Sequence, residues 1–329
     1  MTMNTRSNLA RVIPALFCAA VAALPIAAHA QAQAFPTKPI RLIVPFGAGA
    51  ISDGVARFVA ERAGKSLGTT FIIDNKAGAN GSIGAREAAR AAPDGYTLIV
   101  SSNSAHAANV HLYKELGYDP VKDFVPITGL TRNPHLLVVR STLPVNTVAE
   151  FIAYGKANPG KLNWGTGNTG SLANGALILS KAGITGLRVN YKSQPQALTD
   201  LLAGRLDFMT IDYFNVVEHL KAGTLRAIGV TSTTRLGAVP NVPPVSDTIP
   251  GYEVIGWIAL FAPAGTPPDI VAKLNKAFTD VLRSPEVVDF MEKQGMQSFP
   301  TTPAELGAFQ KQQIVQWGEM LTLGGVEKE

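Results

Sequence analysis

Short aliphatic and β-branched runs alternate along this chain with longer stretches whose apolar residues recur every three or four positions. The runs are residues 40–44, 71–74, 97–100, 136–139, 187–189 and 227–230. Alternation of this kind predicts an α/β fold with mostly parallel strands. The helices carry their own punctuation. Ser52 is placed to cap a helix with Val55, Phe58, Val59 and Leu67 on one face, ended by Gly68. Thr147 with Glu150 forms a capping box before Phe151. Thr266-Pro267 and Asp269 open a helix bearing Ile270, Leu274, Phe278 and Val281. Thr302, Pro303 and Glu305 open the last helix, with Leu306, Phe309, Ile314 and Trp317 turned inward.

The first thirty residues read differently. Arg6 and Arg11 precede an apolar run of residues 12–26, and Ala28-His29-Ala30 is a small-x-small cleavage signal. This is the layout of a secretory signal peptide, too short in its apolar part to span a bilayer. The expected mature chain begins at Gln31 in the periplasm. The single cysteine, Cys18, lies inside the leader, after Phe17. The mature chain therefore has no disulfide, thiolate metal site or cysteine nucleophile.

The remaining length exceeds the usual single core, so two lobes are expected. Crossings near residues 124–134 and 251–263 make residues 31–131 and 254–329 one discontinuous lobe, and residues 132–253 the other. A ligand cleft belongs between them.

Charge narrows the partners. The whole chain has 29 basic and 24 acidic residues, a net charge of +5. The leader removes two arginines and no acid. The basic residues form no run, which argues against nucleic acid. Four histidines follow the leader, at 106, 111, 135 and 219, with no pair at metal-ligand spacing. His135 and His219 read as structural or surface residues. His106 follows Ser101-Ser102-Asn103-Ser104 at the end of the third strand, where α/β clefts open. No metal and no cofactor is expected.

Three strand-to-helix junctions are rich in glycine. The first is Pro45-Phe46-Gly47-Ala48-Gly49-Ala50-Ile51-Ser52-Asp53. The second is Asn75-Lys76-Ala77-Gly78-Ala79-Asn80-Gly81-Ser82-Ile83-Gly84. The third is Gly165-Thr166-Gly167-Asn168-Thr169-Gly170-Ser171. Each feeds a helix start, where unpaired N–H groups and the helix dipole favour carboxylate or phosphate oxygens. Rival motifs fail. Gly165-x-Gly167-x-x-Gly170 is a formal dinucleotide fingerprint, but no acid follows from Ser171 to Thr199 to take a ribose. Ser171 stands where a phosphate-binding P-loop needs Lys. No G-x-S-x-G elbow is present.

At these loops the chain resembles the substrate-binding proteins of the tripartite tricarboxylate transporter family, also called Bug receptors. The resemblance runs through residues 35–46, Ala92-Pro93-Asp94-Gly95-Tyr96, Tyr118-Asp119-Pro120, Tyr191-Lys192 with residues 197–202, and residues 260–267. It implies a two-lobed type II periplasmic binding protein, a Venus flytrap, that holds a ligand carboxylate on first-lobe loops, partly through ordered water. It carries over Pro45, Gly47, Gly49, Ser52 and Asp53, then Gly78, Gly81 and Gly84, then Asn103, Ser104 and His106. In the second lobe it carries over Thr166, Asn168, Gly170 and Ser171, with Asp212 as a cleft aspartate. The chain departs from the family pattern at Ala50, at Asn174, where histidine is common, and at Ser193-Gln194-Pro195, where glycine usually follows Tyr191-Lys192.

The expected function is capture of a small di-, tri- or aromatic carboxylate, without catalysis, by a monomer that delivers it to the transporter's membrane subunits. Backbone amides of residues 47–52 and 78–82, Ala48 and Ala79 included, are expected to take the carboxylate. The helix start at 166–171 closes from the other side, and Phe46 packs on the carbon skeleton. The departures at Asn174 and at Ser193-Gln194-Pro195 lie where the resemblance has side chains choose the ligand's far end, so specificity is expected to differ from the citrate-type members. Asp53 stabilises its loop rather than touching the ligand. A sensor for a signalling system and a periplasmic enzyme are the alternatives.

Overall fold

The computed structural model describes residues 1–2 and 35–328. The cleavage signal and nearly all of the expected leader lie outside the described residues. Residues 36–329 form one compact unit, whose described part is treated below.

Ten strands make one mixed, curled sheet. They are β1 (Ile40–Val44), β2 (Phe71–Asn75), β3 (Thr97–Ser102), β4 (Phe124–Arg140), β5 (Leu162–Thr166), β6 (Gly186–Asn190), β7 (Phe208–Asp212), β8 (Leu225–Val230), β9 (Ile255–Pro263) and β10 (Gln297–Ser298). Among the described residues ten α-helices flank it: α1 (Ile51–Leu67), α2 (Ser82–Ala89), α3 (Asn109–Leu112), α4 (Val148–Ala157), α5 (Thr169–Ala182), α6 (Gln194–Leu202), α7 (Tyr213–Lys221), α8 (Pro268–Arg283), α9 (Pro285–Lys293) and α10 (Pro303–Leu323).

The sequence pattern found β1, β2, β3 and β6 and parts of β4 and β8, but missed β5, β7, β9 and β10 and did not foresee the antiparallel centre. Strand β1 lies parallel to β2 and β3, and β5 lies parallel to β6 and β7. Between these trios runs β4, seventeen residues long. Residues 124–134 of β4 pair with β9, and residues 135–140 pair with β7 and β8. The changeover falls between Pro134 and His135. One strand thus serves both halves of a two-lobed α/β fold. A window of a few apolar residues cannot reveal such length, because Pro126, Asn133 and Pro134 interrupt the run.

Local rules held with small shifts. Helix α1 ends at Gly68 in the left-handed conformation, as predicted, but its cap is Ala50, so Ser52 sits inside the first turn. Thr147 accepts from Glu150 N–H, while the Glu150 carboxylate turns to Asn146 N–H rather than completing a box. The box at Thr302 and Glu305 is complete. Helix α8 buries Val271, Leu274, Phe278 and Leu282, a stripe rotated from the predicted one.

Helix α10 clasps both halves. Leu306, Trp317 and Leu321 are buried. One amide oxygen, Gln313 Oε1, accepts from the indoles of Trp257 and Trp317, each at 3.0 Å. The helix end reaches α5, where Ser180 Oγ donates to Leu323 O at 2.9 Å. Burying each large side chain contributes roughly 1.5–3 kcal/mol, so this clasp helps fix the halves in register.

Candidate functional site

The first glycine loop leaves β1 and turns into α1 through Gly49, at φ +80°. A buried carboxylate holds the turn. Asp53 accepts from Gly49 N–H at 3.0 Å, Asn75 Nδ2 at 3.0 Å and Arg57 Nε at 3.0 Å. Burial alone pushes the Asp53 carboxyl up, but Arg57, Gly49 and Asn75 together hold it below the usual value. This is the loop-stabilising role expected for Asp53. Ala50 has no side-chain acceptor, and nothing caps the helix. Asp53 and Gly54 N–H both turn to Ala50 O, each at 3.0 Å, so the amides of Ile51 and Ser52 are the ones left for another acceptor. Ala50, Ile51 and Ser52, with Phe46, line a cavity between the two halves.

The floor of that cavity is polar and nearly closed to solvent. Asp212 Oδ1 accepts from Asn133 Nδ2 at 2.8 Å and lies 3.3 Å from His135 Nε2. Asn174 Nδ2 meets His135 Nδ1 at 2.8 Å and also donates to Gly170 O at 2.9 Å. The Asn174 oxygen accepts from Tyr252 Oη at 2.5 Å. Full burial pushes the Tyr252 phenol well up, so it remains a donor. Nδ1 of His135 is thus an acceptor, and its proton sits on Nε2, facing Asp212. Asn103 Oδ1 accepts from Trp257 N–H at 3.3 Å. Gln194 completes the floor, its Oε1 3.4 Å from Asp212 N–H. The enclosed space is about 20 Å³, close to what a single water needs. A larger guest requires the halves to part.

The third glycine loop departs from its expected role. The amides of Gly167, Asn168, Thr169 and Ser171 are already spent. Gly167 and Asn168 N–H both donate to Ser171 Oγ, and Ser171 N–H donates to Asn168 Oδ1 in a complete capping box. Thr169 N–H donates across the cleft to Ser104 Oγ at 3.2 Å, and Thr169 Oγ1 to Asn109 Oδ1 at 3.0 Å. Gly167 and Asn168 do line the cavity. Gly170 stands behind them, packed on the His135 ring. The loop is a prebuilt wall that touches the first half, and its capping side chains take the place of an open anion site.

The second loop also points elsewhere. Ala79 and Asn80 hold positive φ values of 46° and 49°, between Gly78 and Gly81. The turn is tied down by Asn80 Nδ2 on Tyr113 Oη and by Asn109 Nδ2 on Asn80 O, both at 3.0 Å. Ala79, Asn80 and Thr166 line a separate hollow of about 260 Å³, with Asn190 and Lys192. Thr166 Oγ1 is bonded to Asn190 Oδ1.

Of the residues proposed from sequence, the structure brings Phe46, Ser52, Asn103, Asn168 and Asp212 to one cavity. Gly47 lies beside Ser193 across the cleft, and Ala48 and Gly49 are exposed. Asn174 acts from behind, through His135. His106 is displaced from the site: it is fully buried, stacked on Phe261 at 4.1 Å and edge-on to Phe124 at 4.5 Å between ring centroids, with Nδ1 on Ser101 Oγ at 2.7 Å. Burial lowers its pKa to about 3. The π-helical turn at Ser104–Ala108 explains this, since it turns Ser104 towards the cleft and His106 inward. Sequence reasoning missed Asn133, His135, Gln194 and Trp257. The departure from the family pattern at Ser193-Gln194-Pro195 is the signal that could have drawn attention to Gln194.

Comparisons with known proteins bear on the family and the fold. A UPF0065 protein of Bordetella pertussis is 34% identical over 94% of this chain and 97% of its own length. A Rhodopseudomonas palustris protein solved with adipate superposes with a TM-score of 0.88 at 31% identity, covering 90% of this chain and all of the neighbour. MatC of the same organism, solved with bound malate, gives a TM-score of 0.82 at 34% identity, with 87% and 100% covered. The family model described as tripartite tricarboxylate transporter family receptor matches residues 55–325. A shared central strand, an uncapped helix start at an interlobe cavity and these likenesses lead to one conclusion: the chain belongs to the tripartite tricarboxylate transporter receptor family, a family of binding proteins.

Proposed function

We propose that this receptor captures a small organic carboxylate between its lobes in the periplasm and delivers it to the membrane subunits of a tripartite tricarboxylate transporter. In this reading residues 31–131 with 254–329 form one lobe and 132–253 the other. The observation that carries it is the bare start of α1. Ala50 supplies no cap, so amides and the positive end of a seventeen-residue helix open onto the cavity beside Ser52. The anion binds there with neutral donors around it, which suits reversible capture. Adipate and malate in the two neighbouring structures support the ligand class. Carbon atoms of the ligand lie against Phe46 and Trp257.

A thermal-shift panel on the mature chain tests this. Carboxylic acids of graded length are expected to raise the melting temperature, because they bind only the folded state. Matched neutral sugars are expected to leave it unchanged. Sugars that stabilise while acids do not would overturn the assignment.

A further inference from the structure

Two polar atoms on the cavity floor have no hydrogen-bond partner: Asp212 Oδ2 and Gln194 Nε2. Both side chains line the cavity, at 1% and 3% exposure. They are neighbours, joined by Gln194 Oε1 on Asp212 N–H. That bond fixes the amide, leaving its donor end unused. Oδ1 of Asp212 is taken by Asn133 and His135, leaving Oδ2 as an unused acceptor. Leaving such buried groups unmatched costs stability.

We infer that Gln194 and Asp212 form a specificity pocket for an uncharged group that both donates and accepts, a primary carboxamide or a hydroxyl, at the far end of the captured carboxylate. This rests on the carboxylate-capture reading and narrows it. An amide gives N–H to Asp212 Oδ2 and takes the Gln194 N–H on its oxygen; a hydroxyl does both with one oxygen. An ionised second carboxylate suits Gln194 but is repelled by Asp212. An ammonium suits Asp212 but cannot accept from Gln194. A methyl leaves both groups buried and unpaired. Sites built to hydrogen-bond a group discriminate strongly against analogues without it. Water is the smallest guest meeting both demands, and a ligand displacing it must reproduce both bonds to keep affinity. Gln194 is placed by the close approach of Gly167, where a Cβ would stand 2.2 Å from Gln194 N.

Calorimetric titration of the mature chain tests this, with three straight-chain series of four to eight carbons: the diacids, their monoamides and the ω-hydroxy acids. At the length that binds best, a monoamide or hydroxy acid is expected to bind at least about tenfold more tightly than the diacid. Gln194→Met is expected to collapse that ratio to about twofold or less, read alongside the melting temperature. If this variant does not fold, Gln194→Glu, which keeps an acceptor for Asp212 N–H, reads the same ratio. Diacids binding tightest, or a ratio untouched by substitution at Gln194, overturns the specificity pocket and leaves carboxylate capture standing. Binding by none of the three series overturns the capture reading itself, and the pocket with it.

Discussion

Asn174 fixes the tautomer of His135: its side-chain amide donates to Nδ1 at 2.8 Å, and the proton on Nε2 therefore faces Asp212. The same Asn174 accepts the buried Tyr252 hydroxyl. Asn174→Ala strands two buried groups at once. The expected loss is about 1–3 kcal/mol of stability, measured by urea unfolding. Asn174→Leu is expected to cost at least as much, since it restores volume but neither hydrogen bond. Unchanged stability in both would show that the relay carries no energy.

Glycine is obligatory at one wall position and optional at another. A Cβ on Gly167 would meet the backbone of Ser193 and Gln194 at 2.2–2.5 Å, and backbone cannot rotate away. A Cβ on Gly47 would sit an ordinary 3.5 Å from Ser193 Oγ. Gly167→Ala is expected to cost about 3 kcal/mol or more and to weaken ligand binding. Gly47→Ala is expected to change stability by less than about 1 kcal/mol. Thermal unfolding of the pair checks the contrast.

Acid should destabilise the receptor through His106. Its folded pKa of about 3 lies below the ordinary 6.5, so the unfolded chain binds the proton more readily. The stability from neutral burial is complete above pH 6.5 and is lost as pH falls towards 3, at up to about 1.4 kcal/mol per pH unit. His106→Phe is expected to flatten this part of the pH–stability curve even if the overall level drops. Asp53 adds a second loss at lower pH. Its pKa is lowered in the fold, so its contribution is full above the ordinary 3.8 and disappears as pH falls through the folded value.

The halves are latched by short side chains. Ser104 Oγ accepts from Thr169 N–H, and Gly49 O accepts from Asn215 Nδ2 at 2.9 Å. Ser104→Ala removes the acceptor for a buried amide, which disfavours the closed arrangement by about 1–3 kcal/mol. Without ligand, the variant is expected to have a larger radius of gyration by small-angle scattering. An unchanged radius would mean that other contacts hold the halves together.

Legibility tracked distance along the chain. Caps at Thr302 and Thr147, the stop at Gly68 and the edge strands rest on contacts within a few residues or on local patterning, and the sequence announces them. The resemblance placed Asp212 in the cleft, and the structure has it on the cavity floor. The anion loops were half legible. Glycine content marks where backbone can approach something closely, but Gly167 uses that freedom for its own chain and for Gln194. Composition also cannot tell a spent amide from a free one: Asn168 and Ser171 stood among the expected ligand contacts, and they are the cap that consumes the amides.

By itself, the sequence determined the α/β class, the family and the loops from which a binding site would be drawn, because these follow from periodicity, glycine placement and ordered motifs. Only the tertiary structure decided which amides remain open and which histidine faces the cleft. It also decided that Gln194 and Asp212 stand together with unsatisfied atoms. The last two outcomes depend on pairings between residues far apart in the chain, 18 positions for Asp212 with Gln194 and 96 for His135 with Thr231. Hydrogen bonds saturate: an atom's availability is known only once every competitor for it has been located in space.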